Sequence, residues 1–224
     1  MIPFPTADAV WPEGSVRWRM CLRPRLQREP GLQRLLDRAR KALAPFPLAE
    51  VSEADLNIGI CPLERPEVPG RRLLRDLAAS LTEHLADLPP FGVTIGAAHV
   101  GVGSVLLQLG IPPQWSELTG RVGAGLAAVL GPQALGPAHE RPHLTIAYGA
   151  GHCDCAEVAA ALEAALARER AEVLIDAVHL VQVQQNAPAH GYRLAPPTVS
   201  VPLGAARPQP DVIEAEPASP YEWE

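Results

Sequence analysis

Lysine is almost missing from this chain. Lys41 is the only one among 19 Lys and Arg residues in a sequence of 224. Aromatic residues are scarce too, at 4% against an apolar content of 47%, so the core must be built from Leu, Val, Ile and Ala. No apolar run approaches the roughly 18 residues that a membrane-spanning helix needs. The cysteines Cys21, Cys61, Cys153 and Cys155 form no C-x-x-C pair. Residues 1–13 have neither the basic start nor the apolar stretch of a secretory signal. A cytoplasmic protein with reduced thiols is the expectation. The net charge of −6 argues against a broad basic face for nucleic acid, while leaving room for a local positive pocket. His152, Cys153 and Cys155 lack the spacing of a zinc site, and Asp154 reads as the cap of the helix that follows. No metal or other cofactor is expected.

What is present is regular. Residues 1–15 are Pro-rich and read as an irregular lead-in. Val16–Leu22 alternates polar and apolar side chains, the signature of a half-buried strand. After Pro30, the residues Leu32, Leu35, Leu36, Ala39 and Leu43 fall on one helical face, and Pro45 stops the helix. A strand over 56–63 follows, then a helix carrying Leu73, Leu74, Leu77, Leu81 and Leu85 that ends at Pro89-Pro90. The pattern then recurs: strands at 91–95 and Ser104–Leu109, a helix over 114–130, a strand at 142–148 and a helix over 156–170. A long strand over 173–184 pairs with a last one at 199–203. Trp18 and Leu107 lie on equivalent first strands, and Asn57 and His143 on equivalent second strands. The spacing predicts a duplicated α+β unit over 16–204 with the repeat boundary near 97–103. Residues 205–224 are acidic and Pro-rich, which predicts a disordered tail, either inert or carrying in Tyr221 and Trp223 a docking motif for a protein partner.

The segment Arg141-Pro142-His143-Leu144-Thr145-Ile146-Ala147-Tyr148 carries the chemistry. Successive strand residues point to opposite faces, so His143 and Thr145 project together. They offer a proton-transfer group and a hydroxyl donor to one phosphate. The equivalent place in the first repeat reads Leu56-Asn57-Ile58-Gly59-Ile60. An asparagine hydrogen-bonds but exchanges no proton near neutral pH, and a glycine presents nothing.

The duplicated unit and the R-P-H-L-T-I-A-Y strand resemble the 2H phosphoesterase superfamily, which includes 2′-5′ RNA ligase-like proteins and cyclic phosphodiesterases. The resemblance spans about residues 16–203. It implies an α+β, duplicated bilobal fold with two antiparallel sheets facing a central cleft and helices outside. It also implies one H-x-T/S motif per lobe: one histidine as general base, the other as acid, the hydroxyls holding phosphate, and no metal. On this chain His143 and Thr145 match one motif, while Asn57 and Gly59 stand where the other has degenerated. Three functions stay open. The first is phosphodiester chemistry on a small nucleotide or RNA end with a 2′,3′-cyclic or 2′-5′ linkage. The second is an inactive descendant that binds a ligand or protein, and the third a cleft recruited to non-phosphate chemistry. Further candidates for substrate contact are Arg17 and Arg19 on one face of the first strand, Tyr148, His99 in a glycine-rich connection at 96–103, and Tyr192 after a loop at 186–191. His84, His139, His179 and His190 have no motif context.

Overall fold

A computed structural model describes residues 1–4, 11, 15–63, 69–136, 141–186 and 188–204. The expected tail at 205–224, with Tyr221 and Trp223, lies outside the described residues, as does His139. Strands β1 (Val16–Leu22), β2 (Leu48–Glu50), β3 (Ile58–Leu63), β4 (Phe91–Val100), β5 (Ser104–Leu109), β6 (His143–Gly149), β7 (Ala171–Ile175), β8 (Ala177–Asn186), β9 (Gly191–Leu194) and β10 (Val199–Pro202) form one mixed-length antiparallel sheet. Its main path runs β10-β8-β1-β3-β6-β5-β4-β7, with β2 beside β6 and β9 beside β8. Four helices are present among the described residues: α1 (Pro30–Leu43), α2 (Arg71–Leu85), α3 (Pro113–Leu130) and α4 (Cys155–Leu166). None is long and apolar enough to cross a membrane.

Each half of the sheet has four strands on this path, β10-β8-β1-β3 and β6-β5-β4-β7, and the halves join where β3 meets β6. Strand pairing at that joint links the two antiparallel half-sheets into one curled sheet. The α1 stripe Leu32, Leu35, Leu36, Ala39 and Leu43 is buried in the main core, as are Leu74, Leu77, Leu81 and Leu85 of α2. Trp18, Met20 and Leu22 of β1 and Leu144 and Ile146 of β6 turn to that same core. The pleat therefore commits the intervening residues to the opposite, concave face.

Several sequence expectations are corrected. The strand expected over 173–184 is two strands broken at Asp176, because β7 pairs with β4 while β8 pairs with β1. A one-residue link between strands so far apart in sheet order requires the sheet to curl until its ends approach. The strand expected at 91–95 runs on to Val100: Gly96–Val100 pairs with β5 through a bulge at Ala97. His99 thus belongs to a strand, and the 96–103 connection shrinks to a tight turn. The helix expected to reach residue 170 stops at Leu166, since Ala171 is already paired to Ile95. The strand expected from residue 56 begins at Ile58, after a 3-10 turn over Glu53–Asp55. Strands β2 and β9 had no sequence signal. Asp154 does cap α4, its carboxylate accepting from the Ala156 amide at 2.6 Å.

His179 lies buried in β8, its Nδ1 2.9 Å from Ser200 Oγ on β10. Burial, then the Arg23 and Arg25 charges, push its imidazole down from 6.5 to about 4, against the pull of Asp176. Between those values the unfolded chain binds a proton that the native protein refuses, so stability falls as pH falls through that window. The slope approaches about 1.4 kcal/mol per pH unit at most. Urea midpoints at about pH 7, 6 and 5 should show that slope reduced in His179→Gln. An unchanged pH dependence would contradict this assignment.

Candidate active site

Ile58 of β3 is paired with Leu144 of β6, and both side chains are fully buried on the helix side. Continued by one residue each way, this antiparallel register sets Asn57 opposite Thr145 and Gly59 opposite His143. All four are half-buried on the concave face, flanked by buried neighbours. Asn-Ile-Gly and His-Leu-Thr therefore meet centre to centre, at the joint between the halves.

The His143 ring is anchored through Nδ1, 2.9 Å from the carbonyl oxygen of Arg141. A carbonyl only accepts, so Nδ1 carries the proton and Nε2 is the basic nitrogen of the neutral ring. Asn57 is oriented by its own backbone, Nδ2 donating to the Asp55 carbonyl at 2.9 Å. Asp55 in turn accepts from Ser52 Oγ at 2.6 Å and from the Leu194 amide at 2.8 Å. These bonds tie the approach to Asn57 to strand β9.

The two halves of the concave face differ. On the first, Cys21, Val181, Val183, Leu194 and Trp11 form a second buried apolar cluster with Tyr192 against it. Cys21, the cross-strand neighbour of Gly59, has no exposure, and burial pushes its thiol up to about 12, so it is an inert, protonated group. On the second half the face is open. Gln108, next to His143 on β5, and His99, next to Leu106 on β4, are exposed, and Leu106 lies beside Thr145.

The remaining candidates divide accordingly. Tyr148 and Tyr192 are brought together, ring centroids 5.8 Å apart, and Phe4 packs edge-on against both at 4.8 and 5.0 Å. This aromatic cluster bridges β6 and β9 and closes the space between the halves. Arg17 is stacked over the Trp11 ring at 4.2 Å, and Arg19 sits across from Pro62 and Val181 beside the closed half. His99 lies in register with Thr145 through Leu106. Among the described residues no group of three His, Cys, Asp or Glu side chains is placed to hold a metal. Sequence reasoning passed over Gln108, whose signal is a polar residue interrupting the apolar β5, and Phe4, which has no pattern around it.

A fold of two H-x-T-sized tripeptides meeting at the centre of a curled sheet defines a class, and the comparisons agree. Residues 61–187 match the family model of the 2′-5′ RNA ligase superfamily. The chain belongs to that superfamily, within the 2H phosphoesterases. The matched span includes His143 and Thr145 and begins after Asn57 and Gly59. In fold the chain is similar to TT0787 of Thermus thermophilus, with a TM-score of 0.61 and 15% identity over 85% of this chain and 100% of that one. It is also similar to E. coli LigT in apo form, with a TM-score of 0.55 and 13% identity over 85% and 99%. LigT complexed with 3′-AMP gives 0.54 and 14% over the same shares. Nothing among curated protein sequences matches the chain.

Nitrogen-15 NMR of the histidine rings should find neutral His143 protonated on Nδ1, as the Arg141 carbonyl demands. A neutral ring protonated on Nε2 would be the contrary result.

Proposed function

We propose that the cleft binds a phosphodiester or cyclic phosphate of a small nucleotide or RNA end, and that His143 is its one proton-transfer group. The observation that carries this is the pairing of Ile58 with Leu144, which gathers His143, Thr145, Asn57 and Gly59 around one point. Nε2 of His143 takes a proton from the attacking hydroxyl or water, or delivers one to the leaving oxygen. Thr145 Oγ donates to a phosphate oxygen. Asn57 opposite it supplies an uncharged amide where the fold's symmetry calls for a second acid–base group. LigT complexes with 3′-AMP and ATP support a nucleotide-sized ligand. His99, exposed in register with Thr145, is the additional ligand contact, and Tyr148 and Tyr192 wall the cleft. Arg17 and Arg19 are left out because they adjoin the closed half. Cysteine usage and composition favour a cytoplasmic setting.

General acid–base assistance is typically worth about 10²–10⁴-fold, so one missing partner leaves turnover slow. Purified protein should turn over 2′,3′-cyclic nucleotides or 2′-5′-linked dinucleotides feebly, and His143→Ala should abolish this with the fold intact. Activity that survives His143→Ala would refute the assignment. Asn57→His combined with Gly59→Thr should raise turnover by about 10²-fold or more.

The second function is binding without turnover. The apolar seal over the first half favours it, because a filled half-cleft can still hold a phosphate from the other side. In that case wild type and variants alike are silent toward these substrates, while His143→Ala and Thr145→Ala weaken nucleotide binding.

A further inference from the structure

Arg170 has no place in the chemistry above, and nothing in its sequence setting marks it. It stands between α4 and β7, where Ala171 is paired with Ile95 of β4, so its neighbour across the strand is Gly96. Gly96 pairs with Gln108, and Gln108 with His143. Arg170, Gly96, Gln108 and His143 thus make one transverse row on the open half of the concave face.

Gly96 lets the arginine lie flat along that row. A Cβ built there would fall 2.7 Å from Arg170 Nε and 3.1 Å from Cζ, with Cδ closer still. The arginine side chain thus covers the β4 backbone at Gly96. Gly96 is buried beneath it, while Arg170 and Gln108 are exposed. The nearby carboxylates are engaged elsewhere: Glu169 pairs with Arg38, and Glu172 accepts from Thr94 Oγ1 at 2.5 Å. Arg170 Nη1 donates to the Glu169 carbonyl at 2.7 Å. Among the described residues no carboxylate forms a salt bridge with it.

We propose that Arg170, laid across Gly96, is an anion anchor of the cleft, selecting ligands that carry a second phosphate beyond the one held at His143 and Thr145. The assignment rests on the proposed phosphate site. With strands about 4.8 Å apart, a guanidinium over β4 lies on the order of 10 Å from β6, about the reach of a nucleoside bearing phosphates at both ends. Arginine is suited to the role because its planar fork binds phosphate bidentately. Gln108 lies between the two anion sites and faces the sugar or base that links them.

The test compares 3′-AMP with adenosine 3′,5′-bisphosphate by calorimetry. Wild type should bind the bisphosphate about tenfold tighter, the increment expected for one charge-assisted contact. Arg170→Ala should erase that advantage and leave 3′-AMP affinity unchanged. Gly96→Ala should do the same by displacing the flexible arginine rather than the backbone, and the double variant should lose no more than either single one. His143→Ala should weaken both ligands. Equal affinities in wild type, or an advantage that survives Arg170→Ala, would overturn the anchor while leaving the phosphate site standing. Binding indifferent to His143→Ala, or no binding of either nucleotide, would overturn the phosphate site and the anchor with it.

Discussion

Everything at the centre of this protein depends on two apolar side chains facing the same way. Ile58 and Leu144 are paired across the joint of the sheet and sunk into the helix-side core. Because a strand alternates, burying these two forces Asn57, Gly59, His143 and Thr145 to the concave face. A slip of one residue in either strand would bury an imidazole or an amide and expose an isoleucine or leucine, a change the core resists by several kcal/mol. Hydrophobic register, rather than any polar contact, therefore holds the candidate site together.

Symmetry of fold coexists with asymmetry of surface. Two similar half-sheets meet at the joint, yet one concave half is packed with Cys21, Val181, Val183 and Leu194 under Trp11 and Tyr192. The other keeps His143, Thr145, Gln108, His99 and Arg170 accessible. Asn57 and Gly59 lie at the edge of the filled half, where Cys21 is the cross-strand neighbour of Gly59. In the proposed function His143 works with one hydroxyl on one side of the ligand, and the proposed anchor supplies charge from across the open half.

The strands and helices were legible to the extent that their periodicity was set by burial. The leucine stripes of α1 and α2 and the alternation of β1 appear in the sequence because one core dictates them. Elements defined by a partner were not. The chain near Asp176 is apolar on both sides, and only pairing separates β7 from β8. Gly96 reads as a loop signal until β5 is placed beside it, and β9 is a strand because the curled edge of β8 offers it hydrogen bonds.

By itself the sequence determined the family and the H-x-T strand, and it put Asn57 and Gly59 where a second such strand is expected, since these lie in local spacing and residue chemistry. Tertiary structure alone decided which half of the cleft is open, that Tyr148, Tyr192 and Phe4 converge, and that Arg170 lies over Gly96. Those outcomes depend on the curl of the sheet, which brings together residues far apart in the chain. No local pattern encodes it.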